Sequence, residues 1–130
     1  MEQKIPSELG LLNEWQERLG LQDWFIVFKT KCKPDEMLTE YDDGCTRYTE
    51  QIKEAEIKII DPEYRKEALR PFNFEATLVH ELLHMKLCLL EEGEDWDNDL
   101  QLRVLHQLIE DLARAFVDAK YTKENSKEKE

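Results

Sequence analysis

The apolar positions of this chain change their spacing as it runs, and each change marks an element. In residues 7–19, Leu9, Leu12, Gln16 and Leu19 fall on one helical face, widened by Leu11 and Trp15, with Ser7 as N-cap and Gly20 as stop. Residues 23–31 are aromatic and β-branched, which predicts a strand. A polar loop follows over 32–43, with Pro34, Asp42 and Asp43, and then a short strand from Gly44 to Tyr48. Residues 54–60 alternate cleanly, with Ala55, Ile57 and Ile59 to one side and Glu54, Glu56 and Lys58 to the other. That pattern predicts a half-buried antiparallel strand with one wet face, ended by Asp61-Pro62. Residues 63–69 read as a short helix before Arg70-Pro71. From 72 to 92 no Gly or Pro intervenes and the apolar residues run almost all round, from Asn73 as N-cap to Gly93 as stop. This predicts a helix buried in the middle of a domain.

An acidic loop, Glu91 to Asp99, leads to a long amphipathic helix over 98–120, whose stripe is Leu102, Leu105, Ile109, Leu112, Ala113 and Phe116. The segment 122–130 alternates Lys and Glu without an apolar anchor and is expected to be a disordered tail. No repeat or linker divides the chain. The expectation is one α+β domain over residues 1–121: an N-terminal helix, a small, mostly antiparallel sheet of about three strands, the buried helix and a long C-terminal helix.

The buried helix carries the chemistry. His80-Glu81-Leu82-Leu83-His84 reads H-E-x-x-H. On a helix, residues four apart lie one turn above each other, so both imidazoles can reach one tetrahedral Zn²⁺ at about 2.0–2.1 Å. Glu81 follows the first ligand and can approach a zinc-activated water without ligating the metal, as a general base. The rival reading is a pair of hydrogen-bonded core histidines with an ion-paired glutamate.

A catalytic zinc takes three protein ligands and keeps one open position. His106 is the remaining histidine and lies beside the apolar stripe of the last helix, with Glu110 one turn later. Two arrangements follow. His106 ligates and Glu110 supports a ligand as hydrogen-bond acceptor, or Glu110 ligates and His106 hydrogen-bonds the intermediate. The first is preferred, because a neutral imidazole suits zinc without charge compensation. Glu110 can also pair with Arg114 in an ordinary i, i+4 contact. Asp95, Asp97 and Asp99 rank lower as ligands. Cys88, one turn beyond His84, reads as a small buried residue rather than a ligand. An oxyanion donor is sought among Tyr41, Tyr48, Tyr64 and Arg103.

Composition narrows the partners. With 130 residues there is room for one core, and the net charge of -12 argues against phosphate backbones and anionic membranes. No apolar run reaches a membrane span, and Met1 to Pro6 shows no secretory signal. Cys32, Cys45 and Cys88 follow no metal-ribbon or C-x-x-C spacing, which fits reduced thiols and a cytoplasmic location. The oligomeric state has no signature.

The H-E-x-x-H residues make the chain resemble the zincin metallopeptidases. The metzincin extension is absent, since Leu87 and Leu90 stand where its Gly and third His would be. The likeness is closer to gluzincins, which draw their third ligand from a later helix, although His106 stands where they carry Glu. The order of elements also resembles small metallopeptidases of phages and bacteria and, loosely, the SprT-like and ImmA-type zincins. The resemblance implies a minimal zincin-like domain, zinc as cofactor and zinc-dependent hydrolysis of a protein or peptide substrate. It implies that the strand before the motif helix, residues 54–60, pairs as an edge with extended substrate. The alternative is a catalytically weak zinc-binding module that regulates by binding a protein, its acidic surface suited to a basic partner.

Overall fold

The structure is a computed structural model that describes residues 7–39, 42–65, 70–89 and 99–128. Helix α1 spans Glu8–Arg18, and the Ser7 hydroxyl accepts the Gly10 N–H at 2.9 Å, which satisfies a donor the first turn leaves open. Gly20 takes a φ of 71°, a left-handed turn that closes the helix and frees the chain to enter the sheet. Three strands follow: β1 over Phe25–Cys32, β2 over Gly44–Thr49 and β3 over Glu54–Ile60. A short 3₁₀ turn with Lys53 in the left-handed region (φ 52°) joins β2 to β3. Helix α2 spans Phe74–Lys86, and α3 spans Asp99–Glu128.

The sheet order is β1-β3-β2, with β1 parallel to β3 and β2 antiparallel to it. The sheet is therefore mixed rather than mostly antiparallel. Residues 54–60 form its central strand, with Phe25 opposite Glu54 on one side and Thr49 opposite Glu54 on the other. A central strand has both rows of backbone groups paired, so 54–60 cannot add an extended substrate as an edge does. Alternation reports which side chains are buried, not the direction of the neighbouring strand.

One face of the sheet packs on α2, which α1 and α3 also cover. Ile57 and Ile59 from β3, Leu78, Val79 and Leu82 from α2, and Ile109 from α3 are all fully buried. Leu12, Trp15, Leu105, Ala113 and Val117 complete this core, whereas Leu9 and Phe116 stay exposed. On the opposite sheet face Glu56 gathers Lys29 at 3.1 Å, Arg47 at 3.3 Å and Lys58 at 3.7 Å.

Helix α2 begins where expected, with the Asn73 side chain accepting the Ala76 N–H at 3.0 Å, and closes at Lys86 rather than 92. Its first turn carries a buried charge, Glu75. The carboxylate accepts Trp15 Nε1–H at 2.6 Å and Lys120 Nζ at 2.7 Å, together with the Tyr121 hydroxyl, so the three helices meet on one side chain. The short helix expected at 63–69 is a 3₁₀ turn over Pro62–Tyr64 in its described part. Residues 66–69, Tyr41, and 91–98 with Gly93, Asp95 and Asp97 lie outside the described residues, and so does the side chain of Asp99. Helix α3 runs on through 122–128, where a disordered tail was expected; Lys and Glu are both good helix formers. Among the described residues no helix is long and apolar enough to cross a membrane. Cys32 and Cys88 are buried, Cys45 is half-buried, and none of the three is in a disulfide among the described residues.

Candidate metal and catalytic site

Helix α2 turns its strongly apolar faces to the sheet and α3, so its polar residues emerge where β2, α2 and α3 meet. His80 and His84 lie half-buried on that line, one turn apart, with ring centroids 5.0 Å apart. Their Nε2 atoms face each other at 3.2 Å. Two nitrogens bound to one tetrahedral zinc at about 2.0–2.1 Å stand roughly 3.3 Å apart. The pair thus has the separation of two ligands on one ion, and the same separation lets the two rings share a proton as a hydrogen bond.

The other nitrogen of His80 decides how that ring presents itself. His80 Nδ1 lies 2.6 Å from Glu110 Oε2, across from α3, and Arg114 holds the second oxygen of Glu110. A carboxylate accepting the Nδ1–H fixes the tautomer with the lone pair on Nε2, the nitrogen aimed at His84. Glu110 is committed to His80 and Arg114 in this geometry.

Glu81 points the other way, under β2, and is only 5% exposed. Thr46 Oγ1 donates to Glu81 Oε1 at 2.7 Å. Burial pushes the Glu81 carboxyl above the ordinary carboxylate range, against the opposing pull of His80, Thr46 and His84. Gly44 makes this fit possible, because a Cβ there would come within 3.0 Å of Glu81 Oε2 and of Thr77 Cγ2. Thr46 and Gly44 carry no signal in the sequence beyond their place in a short strand.

His106 sits on the exposed side of α3 with its ring edge-on to His84, centroids 5.5 Å apart. All three histidines are therefore brought together. Among the described residues, however, no three His, Cys, Asp or Glu side chains are disposed to hold a metal ion as they stand. The donor set fits zinc in its chemistry and in the His80–His84 spacing, and His106 lines the same cavity as both. Cys88 is buried and does not line the site.

Two cavities flank these residues. One, of about 330 Å³, is lined by Leu38, Thr46, Tyr48, His84 and His106. The other, of about 310 Å³, runs toward the start of α2 past Arg65, Arg70 and Arg114. They share Asp42, Gly44, His80 and Glu81, so together they form a groove across the site. Of the oxyanion-donor candidates Tyr48 lines the groove, whereas Tyr64 and Arg103 do not, and Tyr41 lies outside the described residues.

Comparison of the chain with protein-family models, with curated proteins and with solved structures finds no match.

Proposed function

We propose that this chain is a small zinc-dependent endopeptidase. The observation that carries the reading is the facing pair of Nε2 atoms, 3.2 Å apart, with one ring already oriented by Glu110. His80 and His84 would hold the ion with His106 as third ligand. Glu110 acts from behind His80 rather than on the metal. When bound, zinc supplies Lewis acidity that polarises a carbonyl oxygen and acidifies water.

The chain's own residues supply the proton traffic. Thr46 fixes Glu81 Oε1, so proton exchange falls to Oε2. A buried carboxylate whose affinity for protons is raised takes a proton from water readily and returns it to the leaving amine nitrogen. β2 pairs with β3 alone among the described residues and carries Thr46 beside Glu81. The strand role that the zincin likeness gave to 54–60 therefore passes to β2, whose outer edge can align an extended peptide over the groove.

Glu81→Gln is expected to keep the zinc and abolish peptide cleavage. Metal analysis of wild type beside His106→Ala and Glu110→Ala tests the ligand set. One zinc per chain, lost with His106 but retained at weaker affinity with Glu110, is the expected result; a wild type that takes up no zinc sinks the reading.

A second reading, a regulatory zinc-binding module, is favoured by one observation: the three histidines do not close on a common point. Reproducible zinc-dependent cleavage anywhere in a scanned peptide library removes it.

A further inference from the structure

The cavity beside the start of α2 gathers three arginines, Arg65, Arg70 and Arg114, among four carboxylates. Its four carboxylates are each engaged. Asp43 accepts Arg65 Nε at 2.8 Å, Asp42 accepts the Thr39 N–H at 3.1 Å, Glu81 accepts Thr46, and Glu110 is held by His80 and Arg114. Arg65 is anchored further, with Nη1 donating to the Arg70 carbonyl at 2.8 Å and its guanidinium over the Phe72 ring at 5.7 Å. That bond fixes the backbone of Arg70 at the rim. The Arg70 side chain is exposed and makes no ion pair with a described residue. A guanidinium carries five N–H donors; Arg65 uses Nε on Asp43 and Nη1 on the Arg70 carbonyl, and Arg114 uses Nη2 on Glu110, so both keep donors in reserve. The first turn of α2 adds the positive end of a helix dipole to the same wall.

We propose that this arm of the groove is a subsite for a carboxylate of the bound peptide, an acidic side chain or a free C-terminus, read by Arg70 with Arg65 and Arg114 behind it. That the bound peptide is a substrate rests on the peptidase reading; the anion site does not. Because the recess opens onto His80 and Glu81, the carboxylate sits close to the bond to be cut and sets which bond that is.

The test uses the full chain carrying Glu81→Gln, with zinc, so that bound peptide is not turned over. Fluorescein-labelled Ala-based octapeptides with a single Glu at each position are matched with Gln counterparts, each made as C-terminal acid and amide. Binding is read by fluorescence anisotropy. An anionic member is expected to bind roughly tenfold or more tighter than its neutral match. Dependence on Glu identifies a side-chain carboxylate, and dependence on acid over amide identifies the chain terminus. Adding Arg70→Glu should erase or invert the preference, and Arg70→Lys should keep part of it. Equal binding of charged and neutral peptides, absence of binding by all, or a preference that survives Arg70→Glu overturns the proposal. Failure of the peptidase reading looks different. The protein without the Glu81 substitution would then cleave nothing with zinc present, while an anion preference lost on Arg70→Glu would still support the subsite.

Discussion

The junction of the three helices on Glu75 makes a sharp prediction for stability. Glu75→Gln changes almost no volume, so no cavity complicates the result. The carboxylate offers two charged oxygens to Trp15, Lys120 and Tyr121. The amide offers one neutral oxygen and turns an NH₂ group against donors. Lys120, whose side chain is 4% exposed, then keeps Glu14 at 3.0 Å as its one counter-charge among the described residues. Breaking a buried pair by removing one partner costs about 3–5 kcal/mol, and the surviving Glu14 contact places this case near 3 kcal/mol. With an m-value of about 2 kcal/mol/M, the urea midpoint followed by circular dichroism should fall by about 1.5 M. Adding Lys120→Met should restore a large part of the loss, since the unpaired charge is then gone. The pH dependence has a definite sign. Burial alone would raise Glu75, but the bonds from Lys120, Tyr121 and Trp15 outweigh it and hold the carboxyl below 4.5. Its contribution is therefore present above 4.5 and is lost as pH falls through the lower folded value. The gap between wild type and Glu75→Gln should narrow over that acid range. A midpoint within about 0.3 M of wild type at neutral pH, or a gap that does not narrow in acid, would refute the reasoning.

Glu110→Gln removes the charged acceptor behind His80 and should weaken zinc binding about 10–100-fold in a competition titration with a chelator, with the fold intact by circular dichroism. Gly44→Ala puts a methyl group 3.0 Å from Glu81 Oε2 and Thr77 Cγ2, so cleavage should fall at least tenfold while Asn73-capped α2 still forms; unchanged turnover would show that β2 gives way easily. Asn73→Ala deletes the cap on Ala76 N–H and should cost about 1 kcal/mol in urea unfolding, with Asn73→Asp near wild type.

What the sequence revealed was periodicity and local stop signals. The strand over 54–60, the Ser7 and Asn73 caps and the stripe from Leu105 to Ala113 could all be read from spacing, because burial of one face leaves a regular trace. Strand direction left none, which is why the parallel pairing of β1 with β3 and the central place of β3 emerge only in the structure. The site divides along the same line. His80, Glu81 and His84 belong to one turn of helix and are visible as a word. Thr46 and Gly44 act across 35 and 37 residues of sequence from Glu81, and an isolated Thr or Gly in a strand says nothing of what lies above it. Arg65 falls inside the segment that reads as a short helix, Arg70 reads only as part of the break before Pro71, and Glu75 has no signal of its own in the sequence. Each acquires its role from a neighbour that another element delivers.

The strand that comes last in sequence occupies the middle of the sheet, and that order constrains how the chain can assemble. The β2–β3 hairpin closes over residues 50–53 alone, a short loop with little entropy to lose. β1 pairs with the other row of backbone groups of β3, and it has the longer loop to close. Its contact from Phe25 to Glu54 must close a loop that contains the whole of β2. Folding should accordingly be gated by the arrival of β1 rather than by the hairpin. A substitution that weakens the β1–β3 seam in the transition state, such as Ile26→Ala, would then slow refolding more than one confined to the turn at Lys53.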